Sequence, residues 1–214
     1  MNHNYGLISG VDAATIEKTL DLIMQDFGNQ TIRVLELGIY SGKTGNGIRQ
    51  YIQSKGREVF LMGIDSGIDG QKLLYPEAYD QIIDLPTSEA AHLVPDNSFH
   101  LTLVDALHTY TGVITDYFLY KEKVKHGAYI AFHDTAPQAQ GTDWQRTGDK
   151  DDPNQYIQVR KALSDIGLFK DAGYDWEAIV AGVRYTGGGG FRLVFDEHDT
   201  EDAAGGICVF KNIA

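Results

Sequence analysis

The stretch that decides the fold is VLELGIYSGKTGNGI, residues 34–48. A mostly apolar run ends at Leu37, glycines stand at positions 38 and 42, and a segment with helical spacing begins near Thr44. Glycine has no side chain and adopts positive φ readily, so it permits a tight turn and a close approach of the backbone to a ligand. The order strand, glycine turn, helix therefore predicts a ligand site at the end of a buried strand.

Two phosphate-binding patterns do not fit this turn. A phosphate loop reads G-x-x-x-x-G-K-[ST], and the loop between Gly38 and Gly42 is one residue short. The dinucleotide fingerprint G-x-G-x-x-G also fails, because Tyr40 occupies the place of its second glycine. Glu36 beside the loop would repel a triphosphate. The segment HLTLVD, residues 100–105, can supply a magnesium-binding aspartate, so a P-loop-like nucleotide-binding protein stays an alternative.

The pattern that remains is E-x-G-x-x-x-G, from Glu36 through Gly38 to Gly42. A carboxylate at a strand end suits a ligand that carries a cation and no phosphate. S-adenosylmethionine fits, because it has an ammonium and a sulfonium group and no phosphate. Asp65 ends the next apolar segment, and in a doubly wound sheet a carboxylate there can accept hydrogen bonds from ribose hydroxyls. The alternative is that both acids are ordinary polar residues at strand ends.

The rest of the chain alternates between strand-like and helix-like segments. Strands are predicted at residues 31–38, 58–67, 98–106, 128–135, 174–182 and 205–212, and helices at 12–27, 41–54, 75–83, 110–127 and from 152 through 163. Asp12 is predicted to cap the first helix and Gly28 to end it. This alternation predicts an α/β fold with a doubly wound, mainly parallel sheet, in one domain over residues 1–214. The polar segment 136–156, which contains Trp144, is predicted to close over an acceptor.

Composition and charge narrow the function classes. The chain has 214 residues and a net charge of −12, and so acidic a surface repels phosphate backbones. Its single cysteine, Cys208, allows no intramolecular disulfide, and its first residues lack the basic start and apolar core of a signal peptide. No apolar run reaches the length of a membrane span. We therefore expect a cytoplasmic protein without nucleic-acid or membrane partners, and the sequence leaves homo-oligomerisation open.

Residues 30–135 resemble the class I S-adenosylmethionine-dependent methyltransferases, and within them the small-molecule O-methyltransferases of the catechol and macrolide-sugar group. LELGIYSG is similar to the cofactor loop of that group, and GIDSG to its ribose-binding strand end. An aspartate, a histidine three residues later, an aromatic residue and a later His-Asp pair complete the resemblance. It implies the Rossmann-like methyltransferase fold, with a seven-stranded sheet and helices on both faces. The implied reaction is methyl transfer to a hydroxyl of a small-molecule acceptor.

The resemblance also assigns roles to individual residues. It implies a cofactor-binding set in which the glycine loop holds the methionine end, the next strand end holds the ribose and later residues reach the adenine side: Glu36, Gly38, Gly42, Asp65, Thr87, Ser88 and Asp105. In metal-dependent members it implies a site for Mg²⁺ or Mn²⁺ at Asp105, His133 and Asp134, although His133 departs from the residue usual there. The alternative is that the two aspartates bond loop backbone and His133 packs against the lid.

His108 is predicted to take the proton of the acceptor hydroxyl, with Asp105 beside it. A neutral imidazole is a competent base near neutral pH, and a neighbouring carboxylate raises its basicity. In catechol-type members a lysine occupies this offset from the aspartate, so the resemblance implies the same role for a different base. The alternative is that His108 anchors the loop or caps the helix that begins near Tyr110. A non-catalytic binding module and a hydroxylase-like relative on the same scaffold also stay open.

Overall fold

Seven strands form the centre of the computed structural model, which describes residues 9–68, 73–141, 157–168, 190–198 and 205–214. The strands are β1 (Ile32–Leu37), β2 (Val59–Asp65), β3 (Gln81–Asp84), β4 (Phe99–Val104), β5 (Val124–His133), β6 (Phe191–Glu197) and β7 (Ile207–Asn212). They pair in one sheet in the order β3-β2-β1-β4-β5-β7-β6. The predicted α/β fold with a seven-stranded sheet is therefore confirmed.

The sheet is mixed rather than purely parallel. Strands β1 to β5 pair in parallel with their neighbours, whereas β7 runs antiparallel to both β5 and β6. A parallel pair needs a crossover of about a dozen residues or more, and the connection from β6 to β7 is shorter than that. The sequence pattern alone does not report strand direction, so the antiparallel edge was not predicted.

Five α-helices flank the sheet in the part of the chain that the structure describes. They are α1 (Gly10–Asp26), α2 (Lys43–Ser54), α3 (Thr87–Ala90), α4 (Tyr110–Tyr120) and α5 (Val159–Asp165). Ser9, rather than the predicted Asp12, is the N-cap of α1. Its hydroxyl accepts from the backbone N–H of Asp12 at 3.2 Å, and the Asp12 carboxylate accepts from that of Ser9 at 3.3 Å. This reciprocal capping box places the Asp12 side chain in the first turn of the helix.

Helices cover both faces of the sheet, as predicted. One apolar cluster joins α1 and α2 to side chains such as Ile32 and Val34 of β1. A second cluster joins α3, α4 and α5 to Leu35 and Leu37 of the same strand. Alternate residues of β1 therefore point to opposite faces, which explains why its apolar run is continuous rather than alternating.

Residues 75–83 do not form the predicted helix. The chain makes a 3₁₀ turn at Pro76–Ala78 and then enters β3, which pairs with β2. Tyr79 is buried between these two elements, so tertiary contacts outweigh the helix-like spacing of this segment. The helix predicted for residues 110–127 also ends early, because Lys121–Lys123 form a 3₁₀ turn and β5 begins at Val124.

The closing part of the chain also differs from the prediction. Strand β7 confirms the segment predicted at residues 205–212, whereas β6 was not predicted at all. The strand predicted at 174–182, residues 142–156 of the polar segment and Trp144 lie outside the described residues. Among the helices that the structure describes, none has the length and apolar character needed to cross a membrane.

Candidate active site

The strand order of the sheet reverses between β1 and β4, which lie side by side although they are not consecutive in the chain. In open α/β sheets, ligands bind in the crevice outside the carboxyl ends of the strands at such a switch point. Gly38 follows β1 and Asp105 follows β4. The fold therefore brings together the two segments that the sequence analysis singled out.

Gly38 packs directly against the backbone of Asp105. Its φ is +89°, and a β-carbon at this position would overlap the carbonyl oxygen of Asp105. The N–H of Asp105 donates to the carbonyl of Leu37 at 2.8 Å, and the N–H of Gly38 donates to that of Ile64 at 2.8 Å. Only glycine fits this position, because any side chain would push the two strand ends apart.

The glycine loop closes onto Asp65 at the end of β2. Tyr40 has a φ of +47°, and its backbone N–H donates to the Asp65 carboxylate at 2.8 Å. Gly42, with a φ of +75°, ends the loop and precedes α2. Asp65 thus holds the loop in shape from the neighbouring strand. Its bond to a cofactor ribose stays a prediction.

Glu36 lies fully buried beneath the glycine loop. Its Oε2 accepts a hydrogen bond from the Tyr79 hydroxyl at 2.8 Å, while its Oε1 has no partner among the described residues. Burial raises the pKa of Glu36 to about 8, against the lowering effect of the Tyr79 hydrogen bond. A cation beside Oε1 would offset the cost of burying this carboxylate. This orphaned acceptor and the side-chain-free turn at Gly38 fit S-adenosylmethionine, which carries an ammonium group.

Thr87 and Ser88 lie beyond the end of β3. The Thr87 hydroxyl donates to Oδ1 of Asp116 in α4 at 2.6 Å, and the Thr87 carbonyl accepts from the Tyr120 hydroxyl at 2.7 Å. The structure therefore gives Thr87 a role in joining α3 to α4. Ser88 is exposed. The adenine-side contacts expected of both residues stay predictions.

Asp105, His108, His133 and Asp134 meet at the carboxyl ends of β4 and β5. Oδ1 of Asp105 lies 3.1 Å from Nε2 of His108 and 3.0 Å from Nδ1 of His133. Nδ1 of His108 lies 3.1 Å from Oδ2 of Asp134. Asp134 has a φ of +55°, which is uncommon for a residue with a side chain. The backbone of the turn after β5 is therefore strained at the residue whose carboxylate faces His108.

A fifth residue, Asp12, joins this cluster from helix α1. Its Oδ2 lies 3.3 Å from Nε2 of His133, and its side chain is fully buried. The sequence pattern around Asp12 predicted only a capping role. The two residues are 121 positions apart, and nothing in the local pattern around either one signals the contact.

The charges in this cluster reinforce one another. Burial disfavours the charged form of Asp105, but His133 and His108 outweigh it and hold the pKa of this carboxyl well below its usual range. Burial likewise lowers the pKa of both imidazoles, yet the surrounding carboxylates raise that of His108 and raise that of His133 far above its ordinary value. Both ring nitrogens of His133 lie within hydrogen-bond distance of a carboxylate, and only an imidazolium has N–H donors for both.

The same cluster contains a set of possible metal ligands. One ligand atom each from Asp105, His108 and Asp134 lie within 4.8 Å of one another. The predicted third ligand, His133, instead has its two ring nitrogens directed at Asp105 and Asp12. Two carboxylates with one imidazole suit Mg²⁺ or Mn²⁺, with the imidazole favouring the softer ion.

Comparison with known proteins agrees with this fold. Residues 35–135 match a family model described as a methyltransferase domain. No curated protein sequence gives a significant match to this chain.

Three solved structures illustrate the similarity of fold. A candidate caffeoyl-CoA O-methyltransferase from Staphylococcus aureus is 14% identical, with 96% of this chain and 86% of that chain covered and a TM-score of 0.59. The O-methyltransferase TomG from Streptomyces achromogenes, involved in tomaymycin synthesis and solved with S-adenosylmethionine, is 14% identical over 97% of this chain and 92% of its own, with a TM-score of 0.56. The CurJ carbon methyltransferase is 12% identical over 94% of this chain and 54% of its own, with a TM-score of 0.55.

Identities this low show the fold alone, and the family model covers residues 35–135, less than half of the chain. That match contains Glu36, Gly38, Asp65 and Asp105, which the strand order places around one crevice. The chain therefore shares the fold of solved methyltransferases, and residues 35–135 match a methyltransferase-domain model.

Proposed function

We propose that this protein is a methyltransferase that uses S-adenosylmethionine to methylate a hydroxyl group of a small molecule. The observation that carries the proposal is the contact between Gly38 and Asp105 at the switch point of the sheet. It brings the glycine loop, which we propose to bind a cationic cofactor, directly beside a cluster of carboxylates and imidazoles. Cofactor and acceptor would therefore meet at one edge of the sheet.

Bound S-adenosylmethionine would supply a methyl group on a sulfonium, which a nucleophile displaces directly. The protein has two tasks in such a reaction. It must hold the acceptor oxygen in line with the methyl group, and it must favour removal of the hydroxyl proton. The glycine loop and Asp65 would serve the first task from the cofactor side. Asp105, His108 and Asp134 would serve the second from the acceptor side.

His108 is the residue that we propose to move the acceptor proton. It lies within hydrogen-bond distance of Asp105, which orients its ring. In the arrangement described above its two nitrogens face Asp105 and Asp134. A divalent cation is the alternative route: held by Asp105, His108 and Asp134, it would supply Lewis-acid activation of the hydroxyl, and His108 would then be its ligand instead of the base. Mg²⁺ and Mn²⁺ are the ions we propose for this site.

The choice of a hydroxyl acceptor draws on two kinds of support. The comparisons include O-methyltransferases from two bacteria, while a carbon methyltransferase shares the fold as well. The cluster beside Asp105 is suited to taking a proton from an oxygen, which favours a hydroxyl over carbon. The net charge of −12 favours a small acceptor over a nucleic acid. A cytoplasmic location and the absence of membrane partners remain part of the proposal.

The test is methyl transfer from radiolabelled S-adenosylmethionine to a panel of catechols, sugars and simple alcohols. We expect an O-methylated product with at least one class of hydroxyl acceptor. His108→Ala should lower kcat by about 10²–10⁴-fold, because a positioned base contributes that much. Its affinity for S-adenosylhomocysteine should stay unchanged. Asp65→Ala is the matched control on the cofactor side, and it should weaken cofactor binding instead.

Full activity of a folded His108→Ala variant would remove this residue from the mechanism. Methylation of carbon or nitrogen acceptors alone would reject the hydroxyl specificity while keeping the methyltransferase. Activity that survives exhaustive chelation would reject a catalytic metal.

A further inference from the structure

Asp12 is buried where a capping carboxylate is normally exposed. A capping box needs its acidic residue only at the first turn of the helix, which is usually open to water. Here the Asp12 side chain has no solvent exposure. A buried carboxylate is costly unless it is paired, because it loses its hydration. Its place in the fold therefore requires a partner beyond the helix cap.

The partner that carries charge is His133. Oδ2 of Asp12 lies 3.3 Å from Nε2 of His133, and it also accepts from the backbone N–H groups of Ser9 and Gly206, each at 3.3 Å. The other oxygen, Oδ1, has no hydrogen-bond partner among the described residues. Helix α1 is thus joined through one oxygen atom to the end of β5 and to the residues before β7.

Two glycines make room for this contact. A β-carbon at Gly205 would come within 3.0 Å of Oδ2 of Asp12, and a β-carbon at Gly206 would come within 2.5 Å of the backbone nitrogen of Ala136. Both glycines have positive φ, at +108° and +84°. Side chains at these positions would displace the turn that faces Asp12, so the segment before β7 is shaped around the pair of Asp12 and His133.

His133 passes this restraint on to the candidate active site. Its Nδ1 lies 3.0 Å from Oδ1 of Asp105, the same oxygen that lies 3.1 Å from Nε2 of His108. The side chains therefore follow one another in the order Asp12, His133, Asp105, His108. With Asp12 behind it, the ring of His133 is held at both nitrogens and cannot turn away from Asp105.

We propose that Asp12 is a positioning residue, which orients the carboxylate of Asp105 by holding the ring of His133 from behind. The inference rests on the proposed function, since it concerns the residues that would act on the acceptor. It adds a residue of the first helix, outside the segment that matches the methyltransferase family, to the candidate active site. Docking of helix α1 would then be a condition for an ordered site.

The experiment compares three variants of the full chain by NMR of ¹⁵N-labelled imidazole groups. Asp12→Ala removes the carboxylate, Asp12→Asn keeps one acceptor oxygen, and Ser9→Ala removes the capping hydroxyl without touching His133. Signals of His133 and His108 are assigned with His133→Gln and His108→Gln. Thermal unfolding of each variant is measured in parallel.

We expect Asp12→Ala to shift the ring signals of both His133 and His108 and to speed exchange of the His133 ring N–H protons. Asp12→Asn should restore part of the wild-type pattern. Ser9→Ala should lower the melting temperature and leave both sets of ring signals unchanged. A merely structural role of Asp12 would give Ser9→Ala and Asp12→Ala the same spectra.

Unchanged His108 signals in a folded Asp12→Ala protein would overturn the proposal, and so would equal shifts in Ser9→Ala. If the Asp12→Ala protein does not fold, the Asp12→Asn protein provides the test. Shifted ring signals of both His133 and His108 in this variant support the proposal, and ring signals identical to those of the wild type overturn it. Titration of the wild-type protein with Mn²⁺ and with S-adenosylhomocysteine tests the proposed function separately. The NMR comparison of the variants needs neither Mn²⁺ nor S-adenosylhomocysteine. Failure of the proposal on Asp12 can therefore be told apart from failure of the proposed function.

Discussion

Gly38 is the single residue on which both halves of the candidate site depend. It begins the turn after β1 and touches the backbone of Asp105 after β4, with a φ of +89°. The sequence predicted a glycine-dependent turn here, and the structure supplies its reason: the two strand ends approach so closely that no β-carbon fits between them.

Gly38→Ala should therefore destabilise the protein far more than a glycine change at an open position. Gly28 is the matched control, because its φ is +55° and no atom lies within 4 Å of the place of a β-carbon. We expect Gly28→Ala to cost about 1–2 kcal/mol, the ordinary strain of a left-handed residue. Gly38→Ala should exceed about 3 kcal/mol or prevent folding, since overlap adds to strain. Equal losses in urea denaturation would contradict the close contact.

Asp116 gives a residue-scale prediction for pH. It is buried in α4, and burial raises its pKa to about 6 despite the hydrogen bond from Thr87. A raised pKa favours the protonated form in the folded state, so the free energy of unfolding falls as pH rises from about 4 to about 6. Asp116→Asn should be more stable than the wild type at pH 7, by about 1–3 kcal/mol, and the difference should vanish near pH 4.

The control for Asp116 is Asp96→Asn, whose side chain is 70% exposed. An exposed carboxylate should change stability by no more than about 0.5 kcal/mol across the same pH range. Chemical denaturation at several pH values measures both variants. A constant difference between Asp116→Asn and the wild type at all pH values would refute the raised pKa.

Residue types and spacing identified Glu36, Gly38, Asp65, Asp105 and His108, and the structure places all five at the carboxyl ends of neighbouring strands. The spacing of residues along the chain could not identify hydrogen-bond partners that are far apart in the sequence. Tyr79 binds Glu36 across 43 positions, and the contact of Asp12 with His133 spans 121. Such pairs depend on how elements pack, which a local pattern does not contain.

At the scale of elements, α5 is joined to the antiparallel edge of the sheet by one buried ion pair. Nη2 of Arg160 lies 2.5 Å from Oδ2 of Asp196 in β6, and its Nη1 donates to the Thr135 carbonyl at 3.1 Å. Arg160 is 1% exposed. A fully buried guanidinium without its carboxylate is strongly unfavourable, so the pair fixes where β6 and α5 meet.

Removal of one partner of this pair should cost more than removal of both. Asp196→Leu leaves the charge of Arg160 buried and should destabilise the protein by about 3–5 kcal/mol. The double variant Arg160→Met with Asp196→Leu replaces the pair by apolar side chains and should recover most of that loss. A double-mutant cycle in urea measures the coupling. Additive losses from the two single variants would show that the pair does not join these elements.

Element prediction succeeded where burial on both faces gives a long apolar run, as in β1, β2, β4 and most of β5. It failed for β3 and β6, which lie at the two edges of the sheet. An edge strand is covered less evenly, and in β6 most residues after Phe191 are only half-buried. The apolar pattern of these two strands is weaker. Most of QIID, residues 81–84, fell inside the helix predicted at residues 75–83, and FRLVFDE, residues 191–197, received no prediction.

Across the whole molecule, the loop after β1 leads to α2 on one face of the sheet and the loop after β4 leads to α4 on the other face. Glu36 in β1, Gly38 and Asp65 at the end of β2 lie on the β2 side of this switch point, and Asp105 and Asp134 lie on its β5 side. Strand order alone also suits nucleotide-binding proteins. The proposed difference is the charge of the ligand: Oε1 of Glu36 is buried without a partner among the described residues, and a cation beside it would offset the cost of burying a carboxylate.

Calorimetric titration with S-adenosylhomocysteine, beside ATP, distinguishes a methyltransferase cofactor site from a nucleotide site. We predict saturable binding of S-adenosylhomocysteine and none of ATP. Asp65→Ala should weaken the binding by at least about tenfold, the effect of roughly 1.4 kcal/mol. Glu36→Gln is a second variant, and it should weaken binding of the intact cofactor because it removes the carboxylate that faces a cation. Saturable binding of ATP, with no heat from S-adenosylhomocysteine or S-adenosylmethionine, would contradict the account.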